Sequence, residues 1–268
     1  TRSSARTRAG AADVRLRNIE DSFLVSSVVR KEEPGRAARG RASADATRKR
    51  RIVRNPNFQE RTNGRAIFGL VGKGEATRET ILRHAVGLAS RVGLSGLSIG
   101  RLAQELDLSK SGLFSHFRSK EALEIQVLEY GAARFVESVV KPALAAPRGI
   151  SRVEALFDRW LAWSRSDPSS GGCFFVAMAT DLDDRPGPTR DLLVQLQRNW
   201  MDLLADLVRA VVREGQFRPD TDPGQFANDM YGVMLAYHHA FRLLDDPAAE
   251  ERARRALAAL VDARRVAA

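Results

Sequence analysis

Apolar residues recur at helical spacing over most of the chain beyond residue 76, without the alternation that marks β-strands. This pattern predicts an all-α protein of about nine helices. The first helix begins at Thr77 and ends at Gly93, and segments rich in Pro and Gly separate most of the later ones. Residues 1–74 lack the periodicity and are rich in Arg, Ala, Ser and Gly, which indicates a disordered extension.

Residues 98–121 read as a helix, a tight turn, a second short helix and the start of a third. In the second helix Leu113 and Phe117, four residues apart, face inward and leave a small polar face outside. A short exposed helix held by a crossing helix is how helix-turn-helix proteins enter the major groove of DNA. A serine placed to cap the free N–H groups precedes each helix: Ser98, Ser109 and Ser119.

The motif LSIGRLAQELDLSKSGLFSHFRSKEAL, residues 97–123, closely resembles the DNA-binding domain of the tetracycline-repressor (TetR) family of bacterial regulators. The resemblance implies a homodimer with three DNA-binding helices and about six C-terminal helices that form a ligand pocket and the dimer interface. It also implies base contacts from Lys110, Ser111, Gly112 and Ser115, and phosphate contacts from Ser98, His116 and Lys120. Two positions depart from the family pattern: Gly112 replaces a small hydroxylated residue and Phe114 replaces a tyrosine.

The third helix of this motif opens a longer helix, which the sequence predicts to run from the Ser119 cap to about Val140, where Pro142 stops it. We therefore expect an extension over residues 1–74, a DNA-binding domain over residues 75–121 and an effector-binding and dimerisation domain over residues 122–268. The long helix begins beside the DNA and ends under the C-terminal domain. This helix is therefore expected to transmit movement between the two domains.

Net charge follows the same division of the chain. It is +10 over residues 1–75, +4 over residues 76–120 and −4 over residues 121–268. A basic N-terminal half suits a protein that binds DNA at one end. Its Lys and Arg side chains would neutralise phosphates, and the counterions released from the DNA would favour binding.

The basic extension has three interpretations. Its Arg48-Lys49-Arg50-Arg51 cluster suits contact with phosphates or the minor groove. By composition alone, a solvated tail without a defined role is the simpler interpretation. The third is an artefact of start-site choice in a GC-rich gene, since the chain opens at Thr1 and the family's proteins usually begin shortly before the first helix.

Large apolar residues in the distal half predict a small-molecule pocket inside the helical bundle. Core packing explains each of them singly, because any bundle core uses aromatic residues at helical spacing. Few charged residues fall within these stretches, so the expected effector is mainly hydrophobic. The candidates are Trp160, Trp163, Phe174, Phe175, Met178, Trp200, Met234 and Tyr237.

The last two helices, opened by Pro223 and Pro247, carry apolar stripes that suit a four-helix bundle between two copies. Two recognition helices related by a two-fold axis can read half-sites about 34–36 Å apart. Packing inside the subunit is the alternative for some of these residues. The dimer candidates are Met230, Phe241, Leu257, Leu260 and Val261.

An enzymatic function has little support in the sequence. The four histidines form no metal-ligand pattern, and neither a nucleophile elbow nor a phosphate-binding loop occurs, so no metal and no cofactor is expected. Cys173, the only cysteine, excludes an intramolecular disulfide. Its aromatic neighbours favour a buried small hydrophobe over a redox sensor. No apolar run reaches about 18 residues and no signal-peptide core is present, which predicts a bacterial cytoplasmic protein, nucleoid-associated when bound to DNA and without membrane contact.

The sequence thus predicts a transcriptional regulator that binds a palindromic double-stranded operator as a homodimer and is released by a small-molecule effector. Repression is the default that the resemblance implies. The alternative is a non-switching architectural DNA-binding protein that uses the basic extension. That alternative predicts weak sequence preference and a steep dependence of affinity on salt.

Overall fold

In a computed structural model, residues 72–166 and 171–267 are described, and these residues form nine helices and no strand. The predicted all-α architecture is confirmed. The Arg48-Lys49-Arg50-Arg51 cluster lies outside the described residues. The first four helices are α1 (Gly72–Val92), α2 (Ile99–Glu105), α3 (Lys110–Phe117) and α4, which comprises Lys120–Phe135, Val136–Val140 and Lys141–Leu144. The others are α5 (Ile150–Arg165), α6 (Phe174–Leu182), α7 (Pro188–Arg213), α8 (Pro223–Arg242) and α9 (Ala249–Asp262).

Helix α4 is longer than the sequence predicts. It passes Pro142 and ends at Leu144, and its Val136–Val140 segment is π-helical. A proline in an α-helix removes the N–H that would bond the carbonyl four residues earlier, and its ring clashes with that carbonyl. The wider π-turn directly before Pro142 changes this bonding pattern. The prediction that Pro142 stops the helix is therefore wrong.

The later helix boundaries differ from the prediction by a few residues. Pro223 occupies the first turn of α8 as expected, and the Asp222 carboxylate caps that helix by accepting from the backbone N–H groups of Gly224 and Gln225. Pro247 lies before α9 rather than inside it. The carboxylate of Asp246 accepts from the backbone N–H of Ala248 at 2.9 Å, which organises the turn ahead of the helix.

One continuous hydrophobic core extends from α1 to α9. Helix α1 packs against both α4 and α6, α7 packs against α4 and α8, and α8 packs against α9. The packing of α1 against the rest of the molecule therefore involves two helices, α4 and α6.

The contact between α1 and the segment before α6 is unusually close. The backbone N–H of Gly171 donates to Ser90 Oγ at 2.8 Å, and a Cβ at residue 171 would lie 1.6 Å from the Ser90 carbonyl oxygen. Gly93, which ends α1 with φ +73°, would likewise bring a Cβ to 2.6 Å from the Asp181 carboxylate. Only glycine permits either approach.

Replacement Gly171→Ala should lower the free energy of unfolding by about 1–3 kcal/mol or more, because backbone must move to admit the methyl group. Urea unfolding at one fixed protein concentration measures this. Gly87→Ala is the matched control: it lies inside α1 with open space at its Cβ position, so it should stabilise the protein by about 0.5–1 kcal/mol. Equal unfolding curves for the two variants would contradict the close junction.

Candidate nucleic-acid interface

Three serine caps set the local geometry of the helix-turn-helix. Ser98 Oγ accepts from the Arg101 N–H at 3.1 Å, and Ser109 Oγ accepts from the Gly112 N–H at 3.0 Å. Ser119 Oγ accepts from the backbone N–H of Ala122 at 3.0 Å. Each hydroxyl satisfies a donor that an isolated helix leaves free. The three caps predicted from sequence are confirmed.

Tight turns bring α2, α3 and α4 together. Asp107 with φ 53° makes the turn before α3, and Arg118 with φ 60° makes the turn after it. Leu113 and Phe117 are buried on the inner face of α3, as the spacing predicts. The outer face of the helix is therefore directed away from the core.

All four residues predicted to contact bases lie on that exposed face of α3. Ser115 donates its hydroxyl proton to the Gly112 carbonyl at 2.7 Å, which leaves the lone pairs of the Ser115 oxygen as acceptors. The hydroxyls of Ser111 and Ser109 lie 3.3 Å apart. The Lys110 side chain extends beside Gly100 of α2, where a Cβ would lie 3.4 Å from Lys110 Cε.

The face between α2 and α3 forms a shallow, open depression of about 560 Å³. Phe114 contributes a ring that is 52% exposed, a large value for an aromatic side chain. The lining combines apolar, hydroxyl and cationic groups, the mixture that reads base edges and thymine methyl groups in a major groove. The lining residues are Ile99, Gly100, Lys110, Ser111, Phe114 and Ser115.

The three residues predicted to contact phosphates differ in their exposure and in their partners. Ser98 is exposed at the start of α2, and His116 is half-buried beside Phe117. Lys120 is engaged within the chain: its Nζ donates to the Ser95 carbonyl at 3.0 Å and lies 3.7 Å from Glu124 Oε1. Its side chain is still 49% exposed.

Glu105 joins the scaffold helix α1 to α2. Its carboxylate accepts from Arg101 Nε at 2.9 Å and lies 2.7 Å from His84 Nε2. The hydrogen bond from Arg101, and after it the contact with His84, lower the pKa of Glu105 below its usual range. The carboxylate therefore stays ionised in its paired form at neutral pH, and this pairing orients α2 against α1.

In the C-terminal bundle, a small cavity of about 20 Å³ lies inside a cluster of aromatic rings. The Phe135 ring of α4 makes edge contacts with Trp163, Phe175 and Trp200 at centroid distances of 5.5, 5.5 and 5.0 Å. The cavity is mainly apolar. Its lining residues are Phe135, Trp160, Cys173, Phe175, Val176, Leu196, Gln197, Trp200 and Tyr231.

A second, open pocket of about 570 Å³ lies next to this cavity. Gln197 and Tyr231 line both spaces and separate them. Burial raises the pKa of the Tyr231 hydroxyl, which therefore remains a neutral hydrogen-bonding group. The rim of the open pocket carries charged residues of both signs, namely Asp183, Arg190, Arg198 and Asp202.

The structure brings only some of the predicted pocket residues to the cavity. Trp160, Phe175 and Trp200 line it, and Trp163 packs beside it on Phe135. The remaining four pack in the core: Phe174, Met178, Met234 and Tyr237. Cys173 reaches the cavity, which the sequence did not indicate. Burial raises the pKa of its thiol, so it is a protonated, apolar lining group at neutral pH.

The most informative residues that sequence reasoning missed are Phe135, Gln197 and Tyr231. Phe135 belongs to α4, the helix that begins next to the helix-turn-helix, and the other two line both the cavity and the open pocket. Their helical spacing resembles that of any core residue. Only the packing of α4, α7 and α8 brings them together.

Three of the five predicted dimer residues are buried within the subunit. Met230, Leu257 and Val261 have exposures of 1%, 5% and 2%, so they are not available to a partner. For these residues the alternative of packing inside the subunit holds, because a helical stripe does not reveal which neighbour covers it. Phe241 and Leu260 are partly exposed.

Two family models match the chain. Residues 81–127 match "Bacterial regulatory proteins, tetR family", and residues 149–257 match "Tetracyclin repressor-like, C-terminal domain". The chain belongs to the TetR family of DNA-binding transcriptional regulators. Regulators of this family are non-enzymatic, generally ligand-responsive repressors, and typically homodimers. Comparison with curated protein sequences gave no match.

Solved structures of the family share the fold. A TetR transcriptional regulator from Chloroflexus aurantiacus is 25% identical, with a TM-score of 0.67 over 73% of this chain and 99% of that one. A putative regulator from Saccharomonospora viridis in complex with choline is 22% identical, with a TM-score of 0.60 over 73% and 100%. AibR in complex with isovaleryl coenzyme A and operator DNA is 23% identical, with a TM-score of 0.52 over 66% and 95%.

Within the described ranges, none of the helices combines the length and the apolar character needed to cross a membrane. The same residues contain no group of three or more His, Cys, Asp or Glu side chains arranged to hold a metal ion.

Proposed function

We propose that this protein is a repressor that binds a palindromic operator as a homodimer and releases it when a small, mainly hydrophobic effector enters the C-terminal bundle. The observation that carries the proposal is the exposed outer face of α3, with Lys110, Ser111, Gly112 and Ser115 on it. A capped helix with its apolar face buried and its small polar face outside fits the major groove.

Specific roles follow from the position of each side chain. Lys110 and Ser111 lie at the start of α3, the end of a recognition helix that contacts base edges. Ser98 and Lys120 lie at the starts of α2 and α4, where a backbone phosphate can approach the positive end of a helix dipole. Lys110 and Ser111 would read the DNA sequence. Ser98 and Lys120 would position the protein on the duplex.

The aromatic cavity supports the effector part of the proposal. A volume of about 20 Å³ has room for roughly one water molecule, so a ligand must open the cavity. Opening it would displace Phe135, which belongs to α4. The polar groups at Gln197 and Tyr231 suit an effector with an apolar body and one polar end. The ligand complexes of AibR and the Saccharomonospora viridis regulator support a small-molecule site in this fold.

Exposed apolar residues on and after α8 support a dimer surface. Leu235, Leu243 and Leu244 are 39%, 71% and 61% exposed, close to the partly exposed Phe241. An isologous contact along α8 and α9 would cover them and place two recognition helices about a two-fold axis. The proposed interface therefore rests on these residues and Leu260.

Selection of bound duplexes from a random library at near-physiological salt tests the DNA-binding proposal. A palindromic site should be recovered, and Lys110→Ala or Ser111→Ala should change the preferred base at one position in each half-site. Lys120→Ala should weaken all sequences about equally and reduce the salt slope by about one unit per subunit. Recovery of no motif would instead favour an architectural DNA-binding protein.

Replacement Leu243→Glu or Leu244→Glu should convert the dimer to monomers, because a carboxylate would be buried against an apolar partner surface. Size-exclusion chromatography with light scattering measures the mass. Leu108→Glu adds the same charge at an exposed leucine between α2 and α3 and should leave the mass unchanged. A dimer that survives both the Leu243→Glu and the Leu244→Glu substitution would place the interface elsewhere.

The three tryptophans of the chain all lie at or beside the cavity, so intrinsic fluorescence reports its occupation. Compounds that release the operator should change this fluorescence, and operator should weaken their binding by the factor by which they weaken operator binding. Titrations with operator and with a scrambled duplex measure that factor. Equal affinity for the compound in both titrations would rule out the switch, though not DNA binding.

A further inference from the structure

Six polar residues form a cluster where the DNA-binding helices meet the C-terminal bundle. We call this set the junction cluster: Ser95, Lys120, Glu124, Asp181, Arg185 and Thr189. Ser95 lies between α1 and α2, and Lys120 and Glu124 lie in the first turns of α4. The other three lie at the end of α6, in the following loop and at the start of α7.

Three charged side chains converge on Ser95. Asp181 Oδ2 accepts from the Ser95 backbone N–H at 3.0 Å, and the Arg185 guanidinium donates to Ser95 Oγ at 3.1 Å. Lys120 Nζ donates to the Ser95 carbonyl at 3.0 Å. The loop between α1 and α2 is thereby tied both to the α6–α7 connection and to α4.

Glu124 depends most strongly on its partners within the cluster, because its carboxylate side chain is only 3% exposed. Its Oε2 accepts from the guanidinium of Arg185 and from Thr189 Oγ1. Its Oε1 is buried and has no hydrogen-bond partner in the described part of the chain, and Lys120 Nζ lies 3.7 Å away. A buried carboxylate is stable only when a cation compensates it. Two cations from different elements are within reach of this one.

The position of Arg185 depends on the helices around the cavity. Its loop joins α6, which contributes Phe175 and Val176 to the cavity, to α7, which contributes Leu196 and Trp200. A change in the separation of α6 and α7 must be absorbed by this loop. Arg185 is thus the cation of the cluster that belongs to the cavity side, and Lys120 is the one that belongs to the DNA side.

We propose that Arg185 is a positioning residue that keeps Lys120 free for DNA by neutralising Glu124. While Arg185 holds Oε2, the Lys120 ammonium group can leave Oε1 at little electrostatic cost and exchange its bond to the Ser95 carbonyl for one to a phosphate. When the α6–α7 loop withdraws Arg185, Lys120 becomes the remaining cation near the buried carboxylate and is drawn onto Oε1. The inference rests on the proposed phosphate contact of Lys120. It specifies how the cavity controls that contact.

The test measures operator affinity against salt concentration by fluorescence anisotropy, using the full chain and the duplex selected from the random library. Arg185→Ala should lower affinity by about tenfold and reduce the salt slope by about 0.9 per subunit, the amount expected for one lost phosphate contact. Lys120→Ala should reduce the slope equally. The double variant Arg185→Ala/Lys120→Ala should reduce it no further, because both changes remove the same contact.

Rescue separates positioning from a structural role. Adding Glu124→Gln to Arg185→Ala should restore the wild-type slope, because a neutral amide no longer attracts Lys120. If Arg185 only stabilised the fold, removal of a second partner would not restore binding. Arg190→Ala is the matched control: Arg190 bonds the Asp183 carbonyl, not Glu124, so its loss removes the same charge and should leave the slope unchanged.

The outcomes distinguish the two proposals. An unchanged slope in Lys120→Ala would overturn the phosphate contact and the inference with it. A reduced slope in Lys120→Ala, together with a wild-type slope in Arg185→Ala or a loss that Glu124→Gln fails to rescue, would overturn the positioning role alone.

Discussion

Helix α4 is the constraint on which the other features depend, because one helix carries both Lys120, at its end next to the helix-turn-helix, and Phe135, which lines the aromatic cavity. Lys120 and Phe135 lie 15 residues apart, which in a helix corresponds to about 22 Å. A helix transmits displacement along its axis far better than a loop does, since each turn is fixed by backbone hydrogen bonds. Gly131 strengthens this coupling: a Cβ there would lie 2.7 Å from the Phe174 ring, so α4 and α6 are in direct contact.

The junction between the two ends of the molecule combines the continuous hydrophobic core with several close polar contacts. Ser90 receives Gly171, Gly93 faces the Asp181 carboxylate, and Ser95 is held by three charged side chains. Contacts of this kind depend steeply on geometry, because hydrogen bonds weaken quickly with distance and angle. A small shift of α6 therefore changes the interactions of the DNA-binding helices more than the same shift across a layer of methyl groups.

Local features of the fold were predictable from sequence, and features that depend on tertiary packing were not. The caps at Ser98, Ser109 and Ser119 and the buried pair Leu113 and Phe117 follow from residues within one turn of each other. The continuation of α4 past Pro142 depends on a π-helical segment that no residue pattern marks. Likewise, the periodicity of α8 and α9 identifies their apolar faces but not whether the subunit's own core or a second copy covers them. Met230 is buried within the subunit at 1% exposure, whereas Leu243, which follows α8, is 71% exposed.

The small volume of the aromatic cavity affects what the proposed switch requires. A ligand changes a conformational equilibrium only if it binds one conformation more tightly than the other. A site that fits an effector equally well in both arrangements would not couple to DNA binding. The aromatic cavity has room for about one water molecule, so in the proposed switch an effector that enters it would require movement of Phe135, of α6 or of α7. Phe135 would transmit that movement to α4 directly, and α6 and α7 would transmit it to Glu124 through Arg185. The two routes meet in the first turns of α4, where Lys120 faces solvent.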